Sequence, residues 1–262
     1  MDIKDRIVVI TGAAGGIGRA LAVACAEAGA RAVVCADLDG EGASATADQV
    51  TAAGARGVGR AVNVAREEEL QALIDDTEDQ VGPIDLFCSN AGISIPGGPE
   101  VDNDGWQRIW DINVMAHVFA ARHLAPRMIA RGGGYFLNTA SAAGLLSQVG
   151  SAPYAVTKHA AVGLAEWLAL TYGDDGIKVS VLCPQAVRTN MTKGKEDHVA
   201  SVDGMMEPEP VARACLEAIA EETFLVLPHA QVLQYMRNKT ENYDRWIGGM
   251  RKLNRRFNPK AD

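Results

Sequence analysis

The chain is poor in aromatic residues, which fill 5% of its 262 positions, and poor in cations, with 25 Lys and Arg against 33 Asp and Glu for a net charge of −8. Proteins that bind nucleic acid neutralise phosphates with clustered Lys and Arg, so this balance argues against that class. Cysteine is scarce too: Cys25, Cys35, Cys88, Cys183 and Cys215 are an odd, scattered set without a Cys-x-x-Cys pair. They read as reduced core residues of a cytoplasmic protein, not as a disulfide framework. His117, His123, His159, His198 and His229 fall at no metal-ligand spacing, so no metal is expected. The absence of a Gly-x-Ser-x-Gly elbow removes the Ser–His hydrolases. The opening residues Met1–Arg6 alternate charges before only four apolar residues, which is no secretory signal. From Gly132 to Thr157 no residue is charged, yet Asn138, Ser141, Gln148 and Pro153 interrupt the stretch. It reads as strand, loop and helix start, with no membrane span expected.

What is present is an ordinary globular composition, 48% hydrophobic and 22% charged. Short β-branched runs alternate with longer amphipathic segments, the pattern of βαβ units around a parallel sheet buried on both faces. Expected strands are Ile7–Ile10, Ala32–Ala36, Gly57–Val64, Leu86–Ser89, Tyr135–Asn138, Val179–Leu182 and Phe224–Leu227. Expected helices lie near 17–29, 41–53, 66–81, 104–131, 153–172 and 208–221, with Pro126 kinking or dividing the fourth. The reading is a single α/β domain, a doubly wound seven-stranded Rossmann-type sheet with helices on both faces. Residues 1–229 form the dinucleotide-binding and catalytic part, and 230–262 a helical extension of the same domain.

The first strand runs into Thr11-Gly12-Ala13-Ala14-Gly15-Gly16-Ile17-Gly18, and a helical pattern begins at once. Glycines let the backbone approach a pyrophosphate, and a helix N-terminus offers unpaired N–H groups to its charge. Asp37 ends the second strand, where a carboxylate accepts from a ribose diol and repels a 2′-phosphate, favouring NAD over NADP. Tyr154 and Lys158, four apart, share one helix face. A cation beside a phenol favours phenolate, so Tyr154 is expected below its reference pKa of about 10, fit for acid/base work near neutrality.

Taken together, Thr11-Gly12-x-x-x-Gly16-x-Gly18, Asn90-Ala91-Gly92, Asn113, Ser141 and Tyr154-x-x-x-Lys158 resemble the short-chain dehydrogenase/reductase family from about residue 5 to residue 229. The resemblance implies hydride transfer between NAD(H) and an alcohol or ketone. Tyr154 would exchange the proton of the reacting oxygen, Ser141 would hold that oxygen, and Lys158 would bind the nicotinamide ribose and lower the Tyr154 pKa. Asn113 would hold a water on a proton path. Asn90, Ala91 and Gly92 would support the sheet and border the adenosine ribose. Pro184, Val187 and Thr189 would hold the carboxamide, and Asn63 with Val64 the adenine. Two positions depart from the family pattern: Gln185 comes after Pro184 where glycine is usual, and Asn63 stands where aspartate is usual.

Around these residues the chain is apolar. Ala142, Ala143, Leu145, Leu146, Ala186, Met191, Met205 and Met206 are expected to wall a pocket for a largely apolar secondary alcohol or ketone, with Ala143, Leu145, Gln185 and Met191 as the substrate candidates. Arg188 is the one charge beside this pocket, with a neighbouring anion site as the lesser alternative. Thr189–Pro210 has no periodicity and reads as a mobile loop. Beyond Pro228 eight cations face three acids, and Tyr243, Trp246, Ile247, Met250 and Leu253 make one apolar helix stripe. That stripe is expected to close the substrate end and to take part in a homodimer or homotetramer. Two other readings stand beside the dehydrogenase: an epimerase, dehydratase or lyase on the same scaffold, and a nucleotide-sensing protein without turnover.

Overall fold

The computed structural model describes residues 1–194 and 199–257; His198 lies outside them. Its centre is one parallel sheet of β1 (Ile7–Thr11), β2 (Ala32–Asp37), β3 (Arg56–Ala61), β4 (Leu86–Ser89), β5 (Gly134–Thr139), β6 (Ile177–Leu182) and β7 (Leu225–Val226), in the order β3-β2-β1-β4-β5-β6-β7. Ile7 pairs with Ala32 on one side of β1, and Val8 with Leu86 on the other. The strands are apolar on both faces because helices cover both. Val8, Ile10, Leu86 and Cys88 pack with Leu21 and Cys25 of α1 (Gly16–Glu27), Val50 of α2 (Gly40–Ala52), and Val211 and Ile219 of α8 (Pro208–Glu221). Val9, Phe87 and Phe136 point the other way, onto Leu70 and Ile74 of α3 (Glu67–Gln80), Leu124 and Met128 of α5 (Ala116–Ala130), and Ala161 and Leu168 of α7 (Ala152–Tyr172). All five cysteines are free and buried.

The expected helix near 104–131 is divided, but not at Pro126, which α5 passes through. The division is a π segment, Asp111–Met115, between α4 (Asn103–Trp110) and α5. A π turn takes one extra residue and rotates the helix beyond it, and this one brings Asn113 to full burial. Strand β3 ends at Ala61 rather than Val64, while β6 begins two residues earlier than expected. After β5 come α6 (Ala143–Leu146) and a left-handed Ser147 at φ +88°. After β7 come α9 (Gln231–Glu241) and α10 (Tyr243–Phe257). This extension packs on α6 through Val232, Tyr235, Met236 and Trp246 against Ala142, Leu145 and Leu146. The sheet order reverses between β1 and β4, so a crevice opens at the carboxyl ends of those strands.

Candidate active site

A cleft of about 1170 Å³ fills that crevice, running from the glycine-rich turn past Tyr154 to the C-terminal extension. At its floor the turn after β1 is shaped by contacts that leave no room for side chains. Gly12 and Gly16 have φ of +68° and +53°; a Cβ on Gly12 would lie 2.9 Å from the Ala91 Cα, one on Gly16 2.7 Å from the Thr189 Cγ2, and one on Gly18 2.1 Å from the Gly12 carbonyl oxygen. Gly15, the N-cap of α1, offers no side-chain cap, and the first turn carries no acid. That helix end therefore keeps unpaired N–H groups and an uncompensated dipole beside the cleft, which suits a pyrophosphate. Gly12, Gly16, Ile17, Asn90, Ala91 and Gly92 line the cleft; Thr11 and Gly18 do not. Thr11 acts from behind: its Oγ1 accepts from Asn90 N at 3.0 Å and Ala91 N at 3.2 Å, and Asn90 Nδ2 donates back to the Thr11 carbonyl at 3.1 Å. The expected direct contact from Thr11 and Gly18 is thus replaced by a supporting role.

At the adenosine end, both Asp37 oxygens are held by backbone, one accepting from Ala14 N at 2.9 Å and the other from Asp39 N at 3.1 Å. Asp39, which the motif spacing does not single out, caps α2 and lines the cleft as a second acid. Arg19 binds the Ala14 carbonyl and Arg60 bonds Gln80, and neither lines the cleft. Val64 and Asn63 do; the Asn63 Oδ1 accepts from Ala65 N at 3.1 Å, and its Nδ2 has no hydrogen bond among the described residues. The available group at Asn63 is therefore its amide donor, the part an aspartate lacks.

Ser141, Tyr154 and Lys158 meet in the middle. Ser151 caps α7, taking Tyr154 N at 3.3 Å and giving its own hydroxyl to the Ile95 carbonyl at 2.5 Å, which fixes where the helix starts. One turn on, buried Lys158 donates from Nζ to the Thr139 carbonyl at 2.9 Å and stands 5.7 Å from the centre of the Tyr154 ring. Ser141 Oγ accepts from Ala143 N at 3.1 Å and donates to the Pro184 carbonyl at 3.4 Å, with Tyr154 beside it. The expected acidic shift of Tyr154 is reversed: burial pushes its pKa up, only partly opposed by Ser141. Burial also pulls Lys158 down to about 8. A cation held on the Thr139 carbonyl, weakened by its own desolvation, does not outweigh the cost of a buried phenolate. Asn113 is buried and lies off the cleft: Oδ1 accepts from Ile93 N at 2.9 Å, and Nδ2 donates to the Ile93 carbonyl at 2.9 Å and to Thr157 Oγ1 at 3.2 Å. Its side chain ties the loop after β4 to α7, with one lone pair of Oδ1 still free to accept. A Cβ on Gly92 would come 3.3 Å from Asn113 Oδ1 and 3.4 Å from Lys158 Nζ, so this glycine lets all three pack together.

On the substrate side Ala143, Leu146, Gln185 and Met191 line the cleft, as do Pro184, Ala186, Val187 and Thr189. Leu145 does not. It packs in the cluster that joins α6 to the extension, and its carbonyl accepts from Lys239 Nζ at 2.6 Å, while Leu146 lines the cleft. Met205 and Met206 are also absent from the wall; Met206 packs into the core and pairs with Val187 across a β-bridge. Arg188 forms no anion site, because its Nε is 2.7 Å from Glu207 Oε1 outside the cleft. The cation that does line the cleft at this end is Arg245, on α10 beside Trp246, Met250 and Leu253. It was hidden in the sequence among the residues of the basic face. Among the described residues no group of His, Cys, Asp and Glu is placed to hold a metal.

A family model described as short chain dehydrogenase matches residues 6–200. This chain belongs to that family. It is 34% identical over 252 residues to a 1-deoxy-11-beta-hydroxypentalenate dehydrogenase of Streptomyces exfoliatus, covering 94% of this chain and 91% of that protein. A cyclohexanol dehydrogenase of an Acinetobacter species is 29% identical over 229 residues, covering 85% and 91%. Among solved structures, a short chain dehydrogenase/reductase from Burkholderia phymatum in complex with NAD superposes with a TM-score of 0.85 at 30% identity, covering 93% and 96%. The short-chain dehydrogenase match stops at residue 200, so α9 and α10, which build much of the substrate wall, lie outside it.

Proposed function

We propose that this short-chain dehydrogenase interconverts a secondary alcohol and its ketone, on a largely apolar skeleton of the size of a substituted ring, using NAD(H). The observation that carries the reading is the placement of Ser141, Tyr154 and Lys158 where the glycine-rich cradle meets an apolar compartment of Ala143, Leu146, Met191, Val199, Trp246 and Met250. The cradle fits a dinucleotide, with the α1 N-terminus and Gly12, Gly16 and Ile17 at the pyrophosphate, Asp37 at the ribose, Asn63 and Val64 at the adenine, and Pro184, Val187 and Thr189 at the carboxamide. Two acids, Asp37 and Asp39, line this end of the cleft, and among the described residues neither Arg19 nor Arg60 lines it with them, which favours NAD over NADP. Bound NAD supplies the hydride acceptor and, when oxidised, a positive charge.

The chain's own residues would handle the proton and the oxygen. Tyr154, whose phenol is held protonated by burial, is ready as the acid that protonates a carbonyl oxygen, and in reverse takes the alcohol proton. Ser141, its oxygen held by Ala143 N, would turn its hydroxyl from the Pro184 carbonyl to the same oxygen. Lys158 keeps further N–H donors beside its bond to Thr139, enough for ribose hydroxyls and for stabilising charge on Tyr154. The apolar wall excludes water, which strengthens each of these interactions.

The same reading includes self-association and a cytoplasmic location. Leu170 and Trp167 on α7, 86% and 52% exposed, leave an apolar strip outside the cleft that suits contact between copies. No described helix is long and apolar enough to cross a membrane. The test is a panel of cyclic, aromatic and aliphatic secondary alcohols followed at 340 nm with NAD, using wild-type protein and Tyr154→Phe. Stoichiometric NADH from a ring alcohol, lost more than tenfold in the variant while NADH still binds, is expected. Substrate conversion without net change at 340 nm, or a variant keeping more than about a tenth of the rate, would overturn the reading.

A further inference from the structure

The residue that departs most from the family pattern, Gln185, is built into a knot of four side chains from separate parts of the chain. Its backbone N–H donates to His229 Nδ1 at 3.2 Å, and its side-chain Nε2 donates to Asp203 Oδ2 at 3.0 Å. Asp203 also accepts from Tyr235 Oη, at 3.0 Å to Oδ1 and 3.1 Å to Oδ2. A carboxylate cannot donate, so the amide orientation is fixed with its nitrogen towards Asp203, and Oε1 remains a buried acceptor without a partner among the described residues. Gln185 directly succeeds Pro184, whose carbonyl accepts from Ala142 N at 2.9 Å and from Ser141 Oγ. One end of the knot thus stands on the backbone that positions the catalytic serine.

The other end holds the substrate wall. Asp203 belongs to the segment just after the short 3-10 turn Val199–Ser201, and Val199 and Val202 line the cleft together with Tyr235 of α9. This segment is otherwise anchored at Met206, which exchanges two backbone hydrogen bonds with Ala186 and Arg188 at 3.0 and 2.9 Å. The carboxylate of Asp203 links it to both the turn after β6 and the C-terminal extension. A glycine at 185 would leave Asp203 without its amide donor.

We propose that Gln185, acting through Asp203 and Tyr235, is a positioning residue for substrate: it locks the Val199–Met206 segment onto α9 over the apolar compartment and so sets which alcohols are held against Ser141 and Tyr154. The inference rests on the dehydrogenase reading for its kinetic part and on the knot alone for its structural part. Gln185→Glu places a second carboxylate against Asp203. At pH 8 the pair repels and the amide donor is gone.

The expected result is a KM for the alcohol raised about tenfold at pH 8, the scale of one charge-assisted hydrogen bond. The NADH dissociation constant should stay within about twofold. Amide exchange over 199–206 and the start of α9 should quicken at pH 8. The swap Gln185→Glu with Asp203→Asn, which restores a donor facing an acceptor, should return both KM and exchange to near wild type. Unchanged exchange in Gln185→Glu overturns the clamp whatever the kinetics. Quickened exchange with unchanged KM overturns its role in holding substrate. If wild-type protein turns over no alcohol, the functional reading fails while the exchange measurements still decide the clamp.

Discussion

Alkaline pH tests the energetics of this fold through its cysteines. Burial pushes the thiols of Cys25, Cys35 and Cys183 from an ordinary value near 9 to about 12, and those of Cys88 and Cys215 higher as well. A group whose pKa is raised in the folded state stabilises the fold below its unfolded pKa, and that stability is lost as pH climbs past it. At pH 10 the unfolded thiols are mostly ionised and the folded ones are not, a loss of just over 1 kcal/mol per cysteine and roughly 5–7 kcal/mol for five. Lys158 works in the opposite sense. With its folded pKa lowered to about 8, its burial penalty fades between pH 8 and 10, returning roughly 2–3 kcal/mol. The net loss, roughly 4 kcal/mol, is a large part of an ordinary domain's stability of about 5–15 kcal/mol. Urea unfolding of reduced protein at pH 8 and pH 10, followed by circular dichroism, measures it. Cys25→Ala should lower stability at both pH values but flatten the difference by just over 1 kcal/mol. A midpoint unchanged between pH 8 and 10, or an identical slope in Cys25→Ala, would refute the reasoning. Alcohol oxidation, favoured by ionised Tyr154, is thus expected to gain rate in the range where the fold weakens.

Three further outcomes are expected. Catalytic efficiency with NAD should exceed that with NADP at least tenfold, about 1.4 kcal/mol, because Asp37 and Asp39 meet the 2′-phosphate; equal efficiencies would sink the assignment. Gly16→Val should weaken NADH binding measured by fluorescence more than tenfold, since even a Cβ lies 2.7 Å from Thr189 and φ is +53°; unimpaired binding would mean that the cradle does not hold the cofactor. Truncation after Pro228 removes Tyr235, Trp246, Met250 and Leu253 from the wall and should raise KM for substrate, with any fall in oligomer mass read by light scattering; a folded truncated protein with unchanged KM would make the extension peripheral.

The sheet was legible from its β-branched runs, and errors fell where local pattern and pairing part. Alternation through Val62 and Val64 carried the third strand past Ala61, because both valines remain buried after the chain has left the sheet. The sixth strand was cut short at Lys178, an exposed residue that pairs with Glu222 at 3.0 Å yet sits opposite Tyr135 in the ladder. The π segment left no trace, since nothing in Asp-Ile-Asn-Val-Met differs in propensity from an α-helix. For Tyr154 the charge of Lys158 was counted and the burial of both was not, which reversed the direction of the shift.

The two halves of the cleft differ in kind. On the dinucleotide side the residues are set by backbone: Gly12 and Gly16 by positive φ, Gly18 by the carbonyl of Gly12, and Asn90 by its bonds to the first strand. Such requirements are local and admit few residues, so they can be read in order along the chain. On the substrate side the wall joins α6, the segment after β6 and the extension, brought together by packing over more than ninety residues of sequence, as where Lys239 meets Leu145. That Leu146 and not Leu145 lines the cleft goes with the packing of α6 on the extension, which no local pattern shows. A wall assembled this way can change its contacts without disturbing the cradle. Relatives named for a hydroxypentalenate and for cyclohexanol can then share about a third of their residues with this chain, and the deciding differences are to be sought in α6, α9, α10 and the Gln185–Asp203 knot.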